Sequence, residues 1–219
     1  MMDLMTHSEI FFKKYCANSE IKCISIQTGK SKTPDYELII DGQRIIVEVK
    51  EVDRNKDEKE SLRQYGREER TGVPGDRVRR KIWQASAQIK GLTQEIYPSI
   101  LVLYDLTWGG HLNPYSIRVA MYGLEQIHIN VPVNPSGRPH FKGMSYGPKR
   151  KMTEEDNKSI SAIGVLSTPG PNEIVLYIYH NKFAAVPLDP KLLAKYGIQQ
   201  FVLEDKMLGK TAKWKEWTV

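Results

Sequence analysis

Asp41-Gly42, set between two runs of alternating apolar residues, constrains this chain more than any other dipeptide in it. Asp-Gly is the strongest short-range hairpin signal, because both central positions of a type I′ turn need positive φ. Thr33 to Lys50 therefore reads as two antiparallel strands. Counting outward from the turn pairs Ile40 with Gln43, Leu38 with Ile45, Tyr36 with Val47 and Asp35 with Glu48. Strand side chains alternate between faces, so Tyr36, Leu38, Ile40, Ile45, Val47 and Val49 share an apolar face. Asp35, Glu37, Arg44, Glu48 and Lys50 share the other. In this register Asp35 and Glu48 form a non-hydrogen-bonded pair with Cα atoms about 4.5 Å apart. Directly opposed carboxylates repel, and a divalent cation with oxygen ligands relieves that repulsion. The plainer alternative is a hairpin with one buried face and one solvated, charged face.

Pro34-Asp35 followed by Glu48-Val49-Lys50 resembles the signature of the PD-(D/E)xK nuclease superfamily, also called restriction-endonuclease-like. The resemblance implies hydrolysis of phosphodiester bonds, in DNA or less often RNA. It implies Asp35 and Glu48 as ligands of Mg²⁺, with Mn²⁺ as a substitute, the Val49 carbonyl as third protein ligand and Lys50 as catalytic lysine. Glu9 on the first helix, and Lys81 and Gln88 on the helix after the Lys50 strand, stand at supporting positions. Glu9 reads equally well as a helix-capping residue. The residue types suit the chemistry: Mg²⁺ takes oxygen ligands and keeps several waters, and such an ion polarises a phosphoryl oxygen. The rival from another class is a non-catalytic nucleic-acid-binding module on the same fold. Cutting both strands of a duplex would favour a symmetric homodimer.

Around this hairpin the chain reads as one α/β domain spanning 1–219, a restriction-endonuclease-like αβββαβ core over about 6–105 and a β-rich elaboration over about 106–219. Thr6 to Cys16 is expected to be a helix, with Thr6 and Glu9 as a capping box. Ile21–Ile26 reads as a strand and Thr28–Lys32 as a turn, whose glycine spacing is not that of a P-loop. Glu51 to Arg80 is densely charged in both signs and reads as a flexible excursion. From Asp76 to about Lys90, Val78, Ile82, Ala85 and Ile89 recur at helical spacing. Ser99–Tyr104 is almost wholly apolar, as expected of a central strand. A short helix follows at Pro114–Tyr122, with Asn113 as N-cap and Gly123 as stop. Strands are expected at Gln126–Val131, Ser159–Leu166, Glu173–Tyr179 and Gln200–Leu203, and a helix at Lys191–Tyr196. His180 at a strand end, with no nucleophile elbow beside it, reads as structural.

Charge bears on partners. The chain carries a net charge of +6 and a pI near 9.1, compatible with a polyanion. No acidic residue lies between Glu125 and Glu154, while Arg138, Lys142, Lys149, Arg150 and Lys151 do. The prolines and glycines there suggest a long loop, read as a phosphate-backbone contact. A basic loop with no partner is the bland alternative. Trp214 and Trp217 either pack on the core or stack on bases. No apolar run reaches the roughly 18 residues of a membrane helix. No secretory signal is expected at the N-terminus. Cys16 and Cys23 are too few for a disulfide framework, which suits the cytoplasm.

Overall fold

The computed structural model describes residues 5–27, 33–67, 73–93, 96–107, 110–134, 136–170, 173–204 and 213–218. The turn read at 28–32 lies outside them. Helix α1 (His7–Asn18) starts at the capping box, where Thr6 and Glu9 satisfy each other's backbone N–H groups. Strands β1 (Lys22–Ser25), β2 (Tyr36–Ile40) and β3 (Gln43–Val52) form an antiparallel meander. Asp41 and Gly42 both take positive φ, 50° and 76°, as the two-residue turn requires. The β2–β3 register pairs Ile40 with Gln43, Leu38 with Ile45 and Tyr36 with Val47, as counted from the sequence.

After β3 come α2 (Lys56–Tyr65), α3 (Asp76–Thr93) and β4 (Ser99–Asp105). Strand β4 lies parallel to β3. Helix α2 corrects the reading of Glu51–Arg80 as a flexible excursion. It has no apolar stripe; polar groups hold it instead. Asn55 and Glu58 make a second capping box, Lys59 pairs with Asp53 at 2.6 Å, and Arg77 pairs with the buried Glu58.

Helix α4 (Pro114–Tyr122) begins at Asn113 and Pro114 and stops at Gly123, as its sequence predicts. It approaches the start of α3 very closely. A Cβ on Gly75 would stand 2.7 Å from the Ser116 carbonyl oxygen, and Gly75 has φ +79°, so only glycine fits. Strands β5 (Glu125–Asn130) and β6 (His140–Tyr146) then pair with each other as a separate two-stranded sheet. This corrects the long loop read across 125–154: much of it is a hairpin arm, with Arg138 just before β6 and Lys142 within it.

The remaining elements are β7 (Ala162–Gly170), β8 (Glu173–His180), α5 (Pro190–Ala194), β9 (Gln199–Glu204) and β10 (Lys213–Glu216). They complete an eight-stranded mixed sheet in the order β1-β2-β3-β4-β7-β8-β9-β10. Strand β10, which the sequence pattern does not announce, pairs antiparallel with β9. It carries Trp214 into the core, 5.0 Å from the Tyr179 ring, with the indole N–H donating to the Pro114 carbonyl at 2.8 Å. That contact favours packing over base stacking for Trp214. His180 is buried and hydrogen-bonded to Gln200 at 3.0 Å, a structural role.

Helices cover both faces of the sheet. Phe12, Tyr15, Leu192 and Leu193 pack with Tyr36, Leu38, Val47, Val49, Ile100 and Val102 on one side. Val78, Ile82, Ala85, Ile89, Ile117 and Met121 pack with Val52, Leu101 and Leu103 on the other. Even-numbered residues of β3 beyond Ile46 therefore face α3, and the odd-numbered ones face α1. No helix among the described residues is long and apolar enough to cross a membrane.

Candidate functional site

Glu48 and Lys50 lie on the α3 face of β3, in register with Leu101 and Leu103 of β4. Strand β3 is central at this point, so Glu48 is fully buried while Lys50 stays about a quarter exposed. The Lys50 ammonium forms an ion pair with the Glu48 carboxylate. Neither Glu48 carboxylate oxygen accepts a hydrogen bond of good geometry.

Asp35 sits one residue before the β2 ladder, not in a regular pair with Glu48 as counted from the sequence. Its N–H donates to the Val47 carbonyl at 3.1 Å, and its carboxylate accepts from the Val49 N–H at 2.7 Å. Strand geometry explains the second bond. Ile46 and Val52 make their backbone bonds toward β4 and its ends, so odd-numbered residues of β3 present N–H and C=O to the opposite edge. The ladder with β2 ends at Tyr36, and the Asp35 side chain takes up the next donor. The same alternation turns the Val49 carbonyl toward Asp35.

The two carboxylates sense each other. Burial, and then the Asp35 charge, push the Glu48 carboxyl up to about 7; Lys50 opposes them. Burial also raises Asp35 above the ordinary carboxylate range, against the Val49 N–H and Lys50, and Glu9 adds to the rise. Desolvation leads both shifts and Lys50 offsets them only in part; such perturbed groups concentrate at functional sites.

The supporting residues fall into three groups. Glu9 spends its carboxylate on Thr6, accepting from its N–H at 2.6 Å and its hydroxyl at 2.7 Å, so the cap is its visible role. Its charge nevertheless reaches Asp35. Gln88 of α3 donates to the Thr33 carbonyl at 3.3 Å and so steadies the segment leading to Pro34-Asp35. Lys81 is the third: burial, with the Lys50 charge next, lowers its ammonium below the usual lysine value, and Glu51 and Asp53 pull the other way. Lys81 therefore belongs to the Lys50 neighbourhood.

Two residues behave differently from the hairpin pattern. Glu37, opposite Ile46, is turned to Arg44 at 2.7 Å and takes no part in the cluster. The Glu51 carboxylate accepts the Ser8 N–H of α1 at 3.0 Å and ties that helix to β3. No local pattern marks this bond, which joins residues 43 positions apart.

The basic residues divide. Arg138 and Lys142 are exposed on the β5–β6 arm. Lys149, Arg150 and Lys151 follow the arm, and Lys149 and Lys151 line a cleft against α3. Among the described residues, no group of three or more His, Cys, Asp and Glu side chains converges in a metal-ligand cluster. No family model, curated protein or solved structure matches this chain.

Proposed function

We propose that this chain is a metal-dependent nuclease on a restriction-endonuclease-like core, hydrolysing phosphodiester bonds in nucleic acid, DNA foremost. One observation carries the reading. A buried glutamate lacking well-formed hydrogen bonds adjoins a second, half-buried carboxylate, with a lysine two residues on along the same strand face. The order helix, antiparallel meander, helices, parallel strand supports it.

The residues present fit a hard divalent cation. Asp35, Glu48 and the Val49 carbonyl are oxygen donors, and Lys50 only partly offsets the rise at Glu48; they would hold Mg²⁺ or Mn²⁺. When bound, that ion supplies Lewis acidity toward the phosphoryl oxygen and a lower pKa for water. The protein's own groups do the rest. Lys50, on the solvent side of Glu48, presents its ammonium to the phosphate and stabilises charge as it builds there. Lys81 adds a second cation to the same rim. The Val49 N–H aims Asp35, and Gln88 holds its approach segment, so little reorganisation is needed when substrate enters.

The second reading, a nucleic-acid-binding module without cleavage, is favoured by one contact: Lys50 already neutralises Glu48. Incubating plasmid and single-stranded DNA with Mg²⁺, Mn²⁺ or EDTA separates the two. Metal-dependent products are expected, with Glu48→Gln and Lys50→Ala each slower by about 10²–10³-fold. Binding without any product moves the assignment to the module. No binding at low salt removes both.

A further inference from the structure

Trp83 is 68% exposed on a helix whose stripe of Val78, Ile82, Ala85 and Ile89 is completely covered. Side chains advance about 100° per residue around a helix. That sets Trp83 on the flank of α3 opposite Lys81, with Arg80 on the crest between them. The cleft on this flank is lined by Asp76, Arg79, Arg80, Trp83, Lys149 and Lys151.

The charges in the cleft are not equivalent. Arg79 is buried, ion-paired to Asp76 and bonded to the Pro74 carbonyl at 2.9 Å, so these two form a neutral wall. Among the described residues no carboxylate pairs with Arg80, Lys149 or Lys151. Their presentation is built in. Lys149 holds a left-handed backbone at φ 68°, and the Lys151 N–H is bonded to the Ala120 carbonyl at 3.0 Å, fixing this segment on α4. Three available cations thus surround one exposed, flat ring.

We propose that this cleft is a base-stacking subsite, in which the Trp83 indole takes an unpaired base and Arg80, Lys149 and Lys151 take the flanking phosphates. It rests on the nucleic-acid reading above and deepens it by naming the substrate class: a strand with unpaired nucleotides, rather than a continuous duplex. An aromatic face is useful to a base whose own face is free. In an intact duplex base faces are stacked on each other, and exposing one costs unstacking energy. The width of a helix, about 10–12 Å with side chains, separates the subsite from the Lys81 flank. At a rise of about 3.4 Å per stacked nucleotide, the base on Trp83 lies some three nucleotides from the bond under attack.

The test is equilibrium binding in EDTA at low salt, by fluorescence anisotropy. The probes are a dye-labelled single-stranded oligonucleotide and the same sequence annealed as a blunt duplex. Trp83→Ala is expected to weaken the single strand by about tenfold or more and to leave the duplex within about twofold. Trp83→Phe, which keeps a ring, is expected to retain most of the single-strand affinity. Arg80→Ala is expected to lower the salt slope by about one. Equal losses on both probes, or no loss on either, overturn the subsite while leaving the nucleic-acid reading intact. Failure of the wild-type protein to bind either probe overturns both. Exposure of Trp83 makes folding of the variants the expected result, checked by thermal melting.

Discussion

β2–β3 and β5–β6 are both antiparallel pairs in which apolar residues face each other across the strands, and they end in opposite surroundings. In the first, Leu38 is 3% exposed and Ile40 and Ile45 are wholly buried; in the second, Ile127, Ile129 and Phe141 are 63%, 58% and 53% exposed. The first hairpin is continued by β1 and β4 and covered by helices on both faces. The second stands alone, carries a bulge between His128 and Ile129, and is tied at its base by the Arg118–Glu125 ion pair and by the Gly147 N–H on the Leu124 carbonyl at 2.5 Å. A lone two-stranded hairpin is marginal in water. The difference teaches that alternation specifies a strand but not its depth. Depth makes the chemistry here: desolvation is the largest cause of the raised Glu48 and Asp35 values.

Three experiments press on this contrast. The largest expected effect is in packing. Ile45→Ala should cost about 2–5 kcal/mol, whereas Ile127→Ala should stay within about 0.5 kcal/mol, both read from urea midpoints. Comparable losses at the two positions would show that the arm is covered in solution.

Next is the electrostatic cost of depth. The Glu48 carboxyl rises from an ordinary 4.5 to about 7 in the folded chain, so between these values the folded state holds the extra proton. Stability then falls as pH rises through that window, and the full penalty stands above about 7. Glu48→Gln removes the penalty. Above that window it should be more stable than wild type by on the order of 3 kcal/mol, and the gap should close toward pH 4.5. Added Mg²⁺ should narrow the gap by stabilising only the wild type. Parallel pH profiles for the two proteins would mean that Glu48 is not strained by burial.

The smallest effect belongs to the turn. A Cβ on Gly42 meets nothing within 4 Å, but φ is +76°. Gly42→Val should therefore cost about 1–2 kcal/mol through backbone strain alone. A neutral result in a melting series would show that the turn relaxes without disturbing β2–β3.

Much of the site hairpin was legible because its information is local. Turn chemistry and period-2 alternation fixed the pairing of Tyr36 through Val47, and the same parity put Glu48 and Lys50 together on one face. The capping box at Thr6 and the N-cap Asn113 with Pro114 after it marked two helix starts for the same reason. Helix α2 was missed although Asn55-x-x-Glu58 announces it, since a helix without an apolar stripe offers nothing for periodicity to find. Strand β6 was hidden by the glycines and prolines around it; only its pairing with β5 reveals it. The Asp35 geometry escaped too, because its side chain takes the Val49 N–H where the ladder stops.

By itself, then, the sequence determined the pairing and parity of the β2–β3 hairpin, which depend on neighbours a few residues apart. Tertiary structure alone decided which hairpin is buried, that the Asp35 carboxylate takes the Val49 N–H, and that Lys149 and Lys151 share a cleft with Trp83. The reason is physical. Backbone pairing follows from short-range sterics and alternation, whereas burial and the field at a carboxylate are set by whatever distant segments fold over it.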